Sequence, residues 1–281
     1  MPRAWVFNLD ADDELARYPF PYERPTAIDA IIKKRLPRAL LPPGDVVVGE
    51  AIVAIDSYEC AAWCPTPLAV HAWRHAGLRP AVVPSPEVLR SVNHRQFALR
   101  FSDSGVESRF IESAAQWDEW LLPHCDDTWL LKRPFGYVGR GQRKITLPMT
   151  PDDRAWAAAS LQTGGFVVER FVRIVKELAL HGIIKEGRCT WGTLTEQEVD
   201  EHRVWRSSRL HRDVTIEKPV RDACEPVVQA LVDTGYFGPF GVDGYLWEND
   251  RSVLQLNAVS ELNARYTMGY AVGMGNATQR Q

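Results

Sequence analysis

No stretch of about 18 consecutive apolar residues occurs in this chain, so no transmembrane helix is expected. The first residues turn polar at Asn8 and Asp10, too early for a secretory signal. Cysteine is sparse and unpatterned. Cys60, Cys64, Cys125, Cys189 and Cys224 are odd in number and show no C-x-x-C spacing. That argues against a disulfide framework or structural zinc and for a reducing, cytoplasmic compartment. An excess of either charge is also missing. The net charge of -3 points to neither nucleic acid nor an anionic membrane as a partner. Two phosphate-binding signatures are absent as well. There is no G-x-x-x-x-G-K-[ST], and the one glycine-rich loop joins two strand patterns with no helix after it.

What is present is ordinary globular composition. The 281 residues, 45% hydrophobic and 25% charged, suit one large domain or two to three small ones. Trp117, Trp120 and Trp156 lie in amphipathic stretches and are expected to anchor a core. Cys60 and Cys64 could share a helix face, but they read better as a buried pair of small apolar side chains.

Residues 3–8, 45–50 and 79–83 read as strands, and 27–36 and 67–75 as helices. Their alternation implies a small parallel α/β layer over residues 1–88. A helix is expected over 86–101. Strands at 108–112, 128–134, 142–146 and 166–172, with helices at 114–122 and 151–162, form the next block. Residues 176–191 and 202–205 continue an antiparallel sheet, and a helix over 223–235 leads into a final pair of strands. Arg203, Arg206, Arg209, His211 and Arg212 read as a basic cluster, either a solvated face or a site for an acidic group.

Those final strands carry the densest chemistry. Alternation along residues 253–265 puts Glu261, Asn263 and Arg265 on one face and Leu254, Leu256, Leu262 and Ala264 on the other. The preceding strand, Phe240-Gly241-Val242-Asp243-Gly244-Tyr245, carries one carboxylate between small residues. Oxygen donors of this kind suit Mg²⁺, or Mn²⁺ in its place, and an adjacent arginine suits a phosphate or carboxylate. A tight hairpin at Asn249-Asp250 would pair Asp243 with Leu256 or Asn257, making Gln255 and Asn257 a rival metal pair. That pair has no carboxylate, so Glu261 and Asn263 are preferred. They can reach Asp243 only through a longer loop or a bulge.

A second cluster lies upstream. The strand ending in Lys132-Arg133 runs into Gly136, Gly139, Arg140 and Gly141. Glycines let backbone N–H groups approach phosphates closely, and lysine supplies a point charge. Further on, Glu177 sits between apolar runs, where an unpaired carboxylate is costly.

In their order along the chain these pieces resemble the ATP-grasp superfamily of carboxylate–amine ligases, over roughly residues 90–270. The resemblance implies an N-terminal α/β domain (1–88) followed by two α+β subdomains that clasp ATP. These are a lid subdomain at about 126–170 and a C-terminal subdomain at about 171–281. It implies Asp243, Glu261 and Asn263 as magnesium ligands. It implies Lys132, Gly136, Gly139, Arg140 and Gly141 at the ATP phosphates, with residues 135–141 as a mobile lid. The backbone from Glu169 through Arg170, Phe171 and Val172 would meet adenine, and Glu177 the ribose. Lys132 and Arg265 would act in catalysis. Where the family often has a phosphate-facing lysine, this chain has Arg95, read equally well as a solvated helix residue. The implied activity joins a small-molecule carboxylate to an amine through an acyl phosphate, releasing ADP and phosphate. A small-molecule kinase and a catalytically inactive nucleotide-binding module are the alternatives. A second copy of the chain is a further expected partner.

Overall fold

The computed structural model describes residues 1–28, 40–49, 58–102, 105–124, 127–136, 140–200 and 205–275. The expected helix over 27–36 lies almost wholly outside them, as do Cys125, Gly139 and Arg203.

The chain folds as three sheets with helices packed on them. The first is parallel, in the order β2 (Val46–Val47), β1 (Arg3–Val6), β3 (Glu59–Ala62). Its third strand is not the expected 79–83, which has no regular structure. Pro80 and Pro84 remove the N–H groups a ladder needs there. Cys60 therefore lies on β3, with Cys64 just past its end, and they share no helix face. Helices α1 (Ala11–Arg17) and α2 (Pro67–His75) follow the strands, the latter burying Ala69 and Trp73.

The expected helix over 86–101 breaks into α3 (Pro86–Asn93) and α4 (Arg95–Leu99). His94 is extended, and its Nδ1 accepts a hydrogen bond from the Gln96 N–H, capping α4. The Arg95 N–H donates to the Pro134 carbonyl at 3.0 Å instead of continuing a helix.

The second sheet is antiparallel, in the order β4 (Ser108–Ile111), β7 (Phe166–Arg170), β5 (Thr128–Lys132), β6 (Gln142–Thr146). Helices α5 (Ala114–Leu121) and α6 (Pro151–Gln162) cover it. Its core is aromatic, with the Trp117 and Trp120 rings stacked at 4.9 Å and Phe166 edge-on to Trp117.

The third sheet is built on β8 (Arg173–Lys185), in the order β11 (Trp205–Leu210), β10 (Thr195–Val199), β8, β12 (Gly238–Glu248), β13 (Leu254–Asn263), with β9 (Arg188–Trp191) also on β8. One face, with Leu178, Leu180, Val242 and Leu262, packs on α7 (Val214–Asp233) through Val220, Cys224, Val227 and Leu231. The same core takes in Trp5, Phe7 and Leu89. Helix α7 starts nine residues before the expected 223. It contains Pro219 and Pro226, and its apolar stripe outweighs the hydrogen bonds those prolines remove.

The opposite face carries the polar residues. The register pairs Asp243 with both Ala179 and Glu261, and Gly241 with both His181 and Asn263. Short helix α8 (Tyr270–Gly273) closes over its far end. Gly241, Gly269 and Gly273 each meet the His181 ring, which is 1% exposed, and its Nδ1 has no hydrogen-bond partner. Burial pushes the His181 pKa down to about 4. The folded protein therefore holds this ring neutral where the unfolded chain protonates it, near pH 6.5. The contribution of this ring is nil above that pH and grows to a loss of about 3 kcal/mol as pH drops from 6.5 to 4. Urea unfolding of the parent and His181→Gln across that range checks this: the parent should lose stability relative to the variant toward pH 4, over a background that His94 and Asp243 share in both proteins.

Between Asp243 and Tyr245 the β12–β13 ladder shifts register. Tyr245 pairs with Asn257 but Asp243 with Glu261, so residues 258–260 of β13 lie opposite Gly244. A Cβ on Gly244 would sit 2.7 Å from the Asn257 carbonyl oxygen and 2.8 Å from that of Ala258. Gly244→Ala is expected to cost about 1–3 kcal/mol in a thermal or urea melt, because the obstructing atoms are backbone.

Candidate active site

The bulge sets the geometry of the carboxylates. Asn263 Nδ2 donates to Asp243 Oδ2 at 2.8 Å, and Gln197 Nε2 donates to Asp243 Oδ1 at 2.9 Å. Burial pushes the Asp243 pKa up to about 7, and the neighbouring charges of Glu261 and Glu177 add to the shift. Burial would raise Glu261 too, but Arg95, Lys132 and Arg265 together hold it below the usual glutamate value. Two facing carboxyls are thus driven apart, one ionised and one near its midpoint at neutral pH. A cation between them would let both ionise. Two carboxylates and an amide oxygen are the hard donors Mg²⁺ takes alongside phosphate oxygens. Among the described residues no three His, Cys, Asp or Glu side chains gather, so no denser metal set competes. Gln255 pairs with Trp247 and Asn257 with Tyr245, further along the strands from Asp243.

Three cations stand around this pair, and each already has a carboxylate. Arg95 is 9% exposed, not a solvated helix residue. Its Nη2 donates to Glu261 Oε1 at 2.9 Å and to the Gly136 carbonyl at 3.3 Å, and its Nη1 to the Arg133 carbonyl. Lys132 Nζ donates to Glu169 Oε1 at 2.9 Å across β5 and β7. Arg265 Nη2 donates to Asp12 Oδ2 at 2.7 Å. The buried Nε atoms of Arg95 and Arg265 have no partner.

The glycine loop closes tightly at its base. Arg133 N–H donates to the Gly141 carbonyl at 2.7 Å, and a Cβ on Gly136 would collide with the Arg140 carbonyl. Gly141 has φ +75°, which only glycine adopts at little cost. Residues 137–139, with Gly139, lie outside the described set. Phe171 and Val172 join β7 of one sheet to β8 of the other. The N–H groups of Arg170 and Phe171 are taken by the Glu107 and Thr128 carbonyls. The Arg170 side chain points away, toward Asp250 and Asp127. Glu177 pairs with Tyr245 and Gln197, on the Asp243 face of the sheet. Within the basic cluster, Arg209 and His211 lie on Glu196, and Arg206 on Asp200.

Three residues at the site had no signal of their own in the sequence. Gln197 and Asp12 arrive from distant elements. Asn93 closes α3 on its buried stripe with Leu89 and Val92. Its Oδ1 accepts from the Ala264 N–H at 2.9 Å, fixing the backbone between Asn263 and Arg265. A polar residue on an apolar helix stripe was the one available clue.

Two antiparallel sheets joined by a two-residue link, with Asp243 and Glu261 on one and Lys132 on the other, have counterparts among solved structures. D-cycloserine synthetase superposes with a TM-score of 0.55 at 10% identity, over 90% of this chain and 96% of that one. D-alanyl-alanine synthetase A from Vibrio cholerae gives 0.52 at 12% identity, over 98% and 92%. This chain has the ATP-grasp fold. N5-carboxyaminoimidazole synthetase from Staphylococcus aureus, solved with ADP, gives 0.50 at 13% identity over 74% of this chain. The chain spans about half of that protein's length (54%). No family sequence model and no curated protein matches the sequence. Among the described residues no helix is long and apolar enough to cross a membrane.

Proposed function

We propose that this protein is an ADP-forming ligase that activates a small-molecule carboxylate with Mg-ATP as an acyl phosphate and passes the acyl group to an amine. The observation that carries this reading is the facing of Asp243 and Glu261, with Asn263 bonded to Asp243, across from Arg95 and Lys132. Asp243, Glu261 and Asn263 would hold the magnesium, which would neutralise charge on the phosphate oxygens. Arg95, Lys132 and Arg140 would meet the phosphates, against the N–H groups of Gly136 and Gly141. Glu177 would take the ribose. The Val172 N–H has no partner among the described residues and would face adenine, with Glu169 and Phe171 framing it. Arg265 would position the carboxylate undergoing phosphorylation. Binding would be an exchange of partners: phosphates take the arginine and lysine while magnesium takes the carboxylates. The neighbours in fold include two synthetases that act on amino-acid-like molecules by name, which supports the same class of chemistry here. The test is release of ADP and phosphate from Mg-ATP with a panel of amino acids and other amines, alone and in pairs. Release that needs both a carboxylate and an amine supports the ligase. ADP formation with transfer of the phosphate to a hydroxyl compound would replace it with a kinase.

A further inference from the structure

On the outer side of the segment that carries Arg95 lies a cleft of about 690 Å³ between the end of α1 and helices α3 and α4. Its wall includes Tyr18, Glu87, Arg90, His94, Phe97 and Arg100. Arg90 and Arg100 are exposed, and among the described residues neither is paired with a carboxylate. Arg90 Nε donates to the Leu15 carbonyl at 3.2 Å and its guanidinium lies 5.7 Å over the Phe135 ring. Arg100 Nε donates to the Phe97 carbonyl at 3.3 Å, and its guanidinium lies 4.3 Å over the Phe97 ring. These contacts hold the two planes on aromatic surfaces while leaving their terminal N–H groups unspent.

Among the described residues the wall carries one carboxylate, Glu87, which remains a negative charge on the rim while its Oε1 accepts from the Tyr18 hydroxyl. His94 adds no charge. Burial, with Arg90 and Arg95 beside it, pushes its pKa down to about 4. Its Nδ1 accepts from Gln96, so the neutral ring carries its proton on Nε2 and is a donor. The cleft thus presents donors and two guanidiniums, and it falls in the size range of small-molecule sites. Guanidinium forks match carboxylate and phosphate oxygens.

We propose that this cleft is a second small-molecule site, which binds a ligand through a carboxylate or phosphate group. The site is separate from the metal pair and does not depend on the ligase reading. Arg95 projects from the adjoining residue into the other site, and Phe135, which opens the glycine loop, packs against His94 at 5.3 Å.

The test titrates the full chain, saturated with Mg-ADP so that the nucleotide phosphates are filled, with succinate and separately with inorganic phosphate. One equivalent of at least one probe should bind saturably, and which probe binds assigns the anion. Arg90→Gln and Arg100→Gln should each weaken binding about tenfold, the loss of one charge-assisted pair. Glu87→Gln should tighten it, by removing the negative charge on the rim. Arg100→Gln should melt with the parent, since its side chain is exposed. Repeating the titration without Mg-ADP separates the two readings: a protein that fails to bind the nucleotide but still shows the charge-dependent second site would refute only the ligase. Absence of saturable binding overturns the proposal. So does binding that no variant alters, and so does an equal loss in Glu87→Gln and the arginine variants, which would mark damage to the fold.

Discussion

A Glu261→Gln protein is expected to fold like its parent and to lose ATP-dependent turnover by about a thousandfold, the several kcal/mol that a metal's charge stabilisation supplies. The amide keeps an oxygen that can accept from Arg95, so the 2.9 Å contact need not open. Loss of the neighbouring negative charge should also let the Asp243 carboxyl ionise more easily, since Glu261 is part of what holds it up at about 7. The variant should therefore still fold, with a lowered melting temperature because Arg95 keeps its hydrogen bond but loses its counter-charge, while losing one of two charges offered to the metal. Gln255→Ala is the matched control, because Gln255 pairs with Trp247 beyond the bulge. It should retain most activity. An essential Gln255 beside a dispensable Glu261 would move the metal six residues along the strand and refute the assignment. Phosphate release and a thermal melt of both variants decide it.

The second large effect is at Lys132. Lys132 is 8% exposed and its partner Glu169 9%, so Lys132→Ala strands a carboxylate in the interior. Breaking such a pair from one side costs about 3–5 kcal/mol. Weakened nucleotide binding by that variant alone would be ambiguous, because the lid-side sheet could loosen as well. The double variant Lys132→Met with Glu169→Gln removes both charges at similar volume and should recover most of the melting temperature. Calorimetry on the double variant then isolates the phosphate contact. Affinity for Mg-ATP should still be down by tenfold or more, about what loss of one charge-assisted contact gives. Affinity equal to the parent's would remove Lys132 from the phosphate site.

Much of the architecture could be read from local pattern. The strands around Asp243 and Glu261 and the glycine hairpin after Lys132 follow period and turn chemistry. The ATP-grasp architecture was implied by the family resemblance that these pieces carry in their order. Features set by distant contacts were not legible. The break at His94 depends on the Pro134 carbonyl, and the tie between Arg265 and Asp12 spans 253 positions. The early start of α7 was hidden by Pro219 and Pro226, whose cost is met by burial against the sheet. Strand β3 carries no local strand signature, because Glu59-Cys60-Ala61-Ala62 is short and has no β-branched or aromatic residue.

The bulge at Gly244 also imposes an arithmetic on this stretch of the gene. Between the pairs Tyr245–Asn257 and Asp243–Glu261, β12 advances two positions and β13 advances four. The surplus is even, so Asn257 and Glu261 keep the same side of the sheet although the ladder between them is interrupted. A single in-frame codon lost or gained within 258–260 would make the surplus odd. Glu261 and Asn263 would then turn into the core and Leu262 would turn out of it. Losing two codons would straighten the strand and leave every later side chain on its present side. Length variation at this point should therefore be tolerated in twos and selected against in ones.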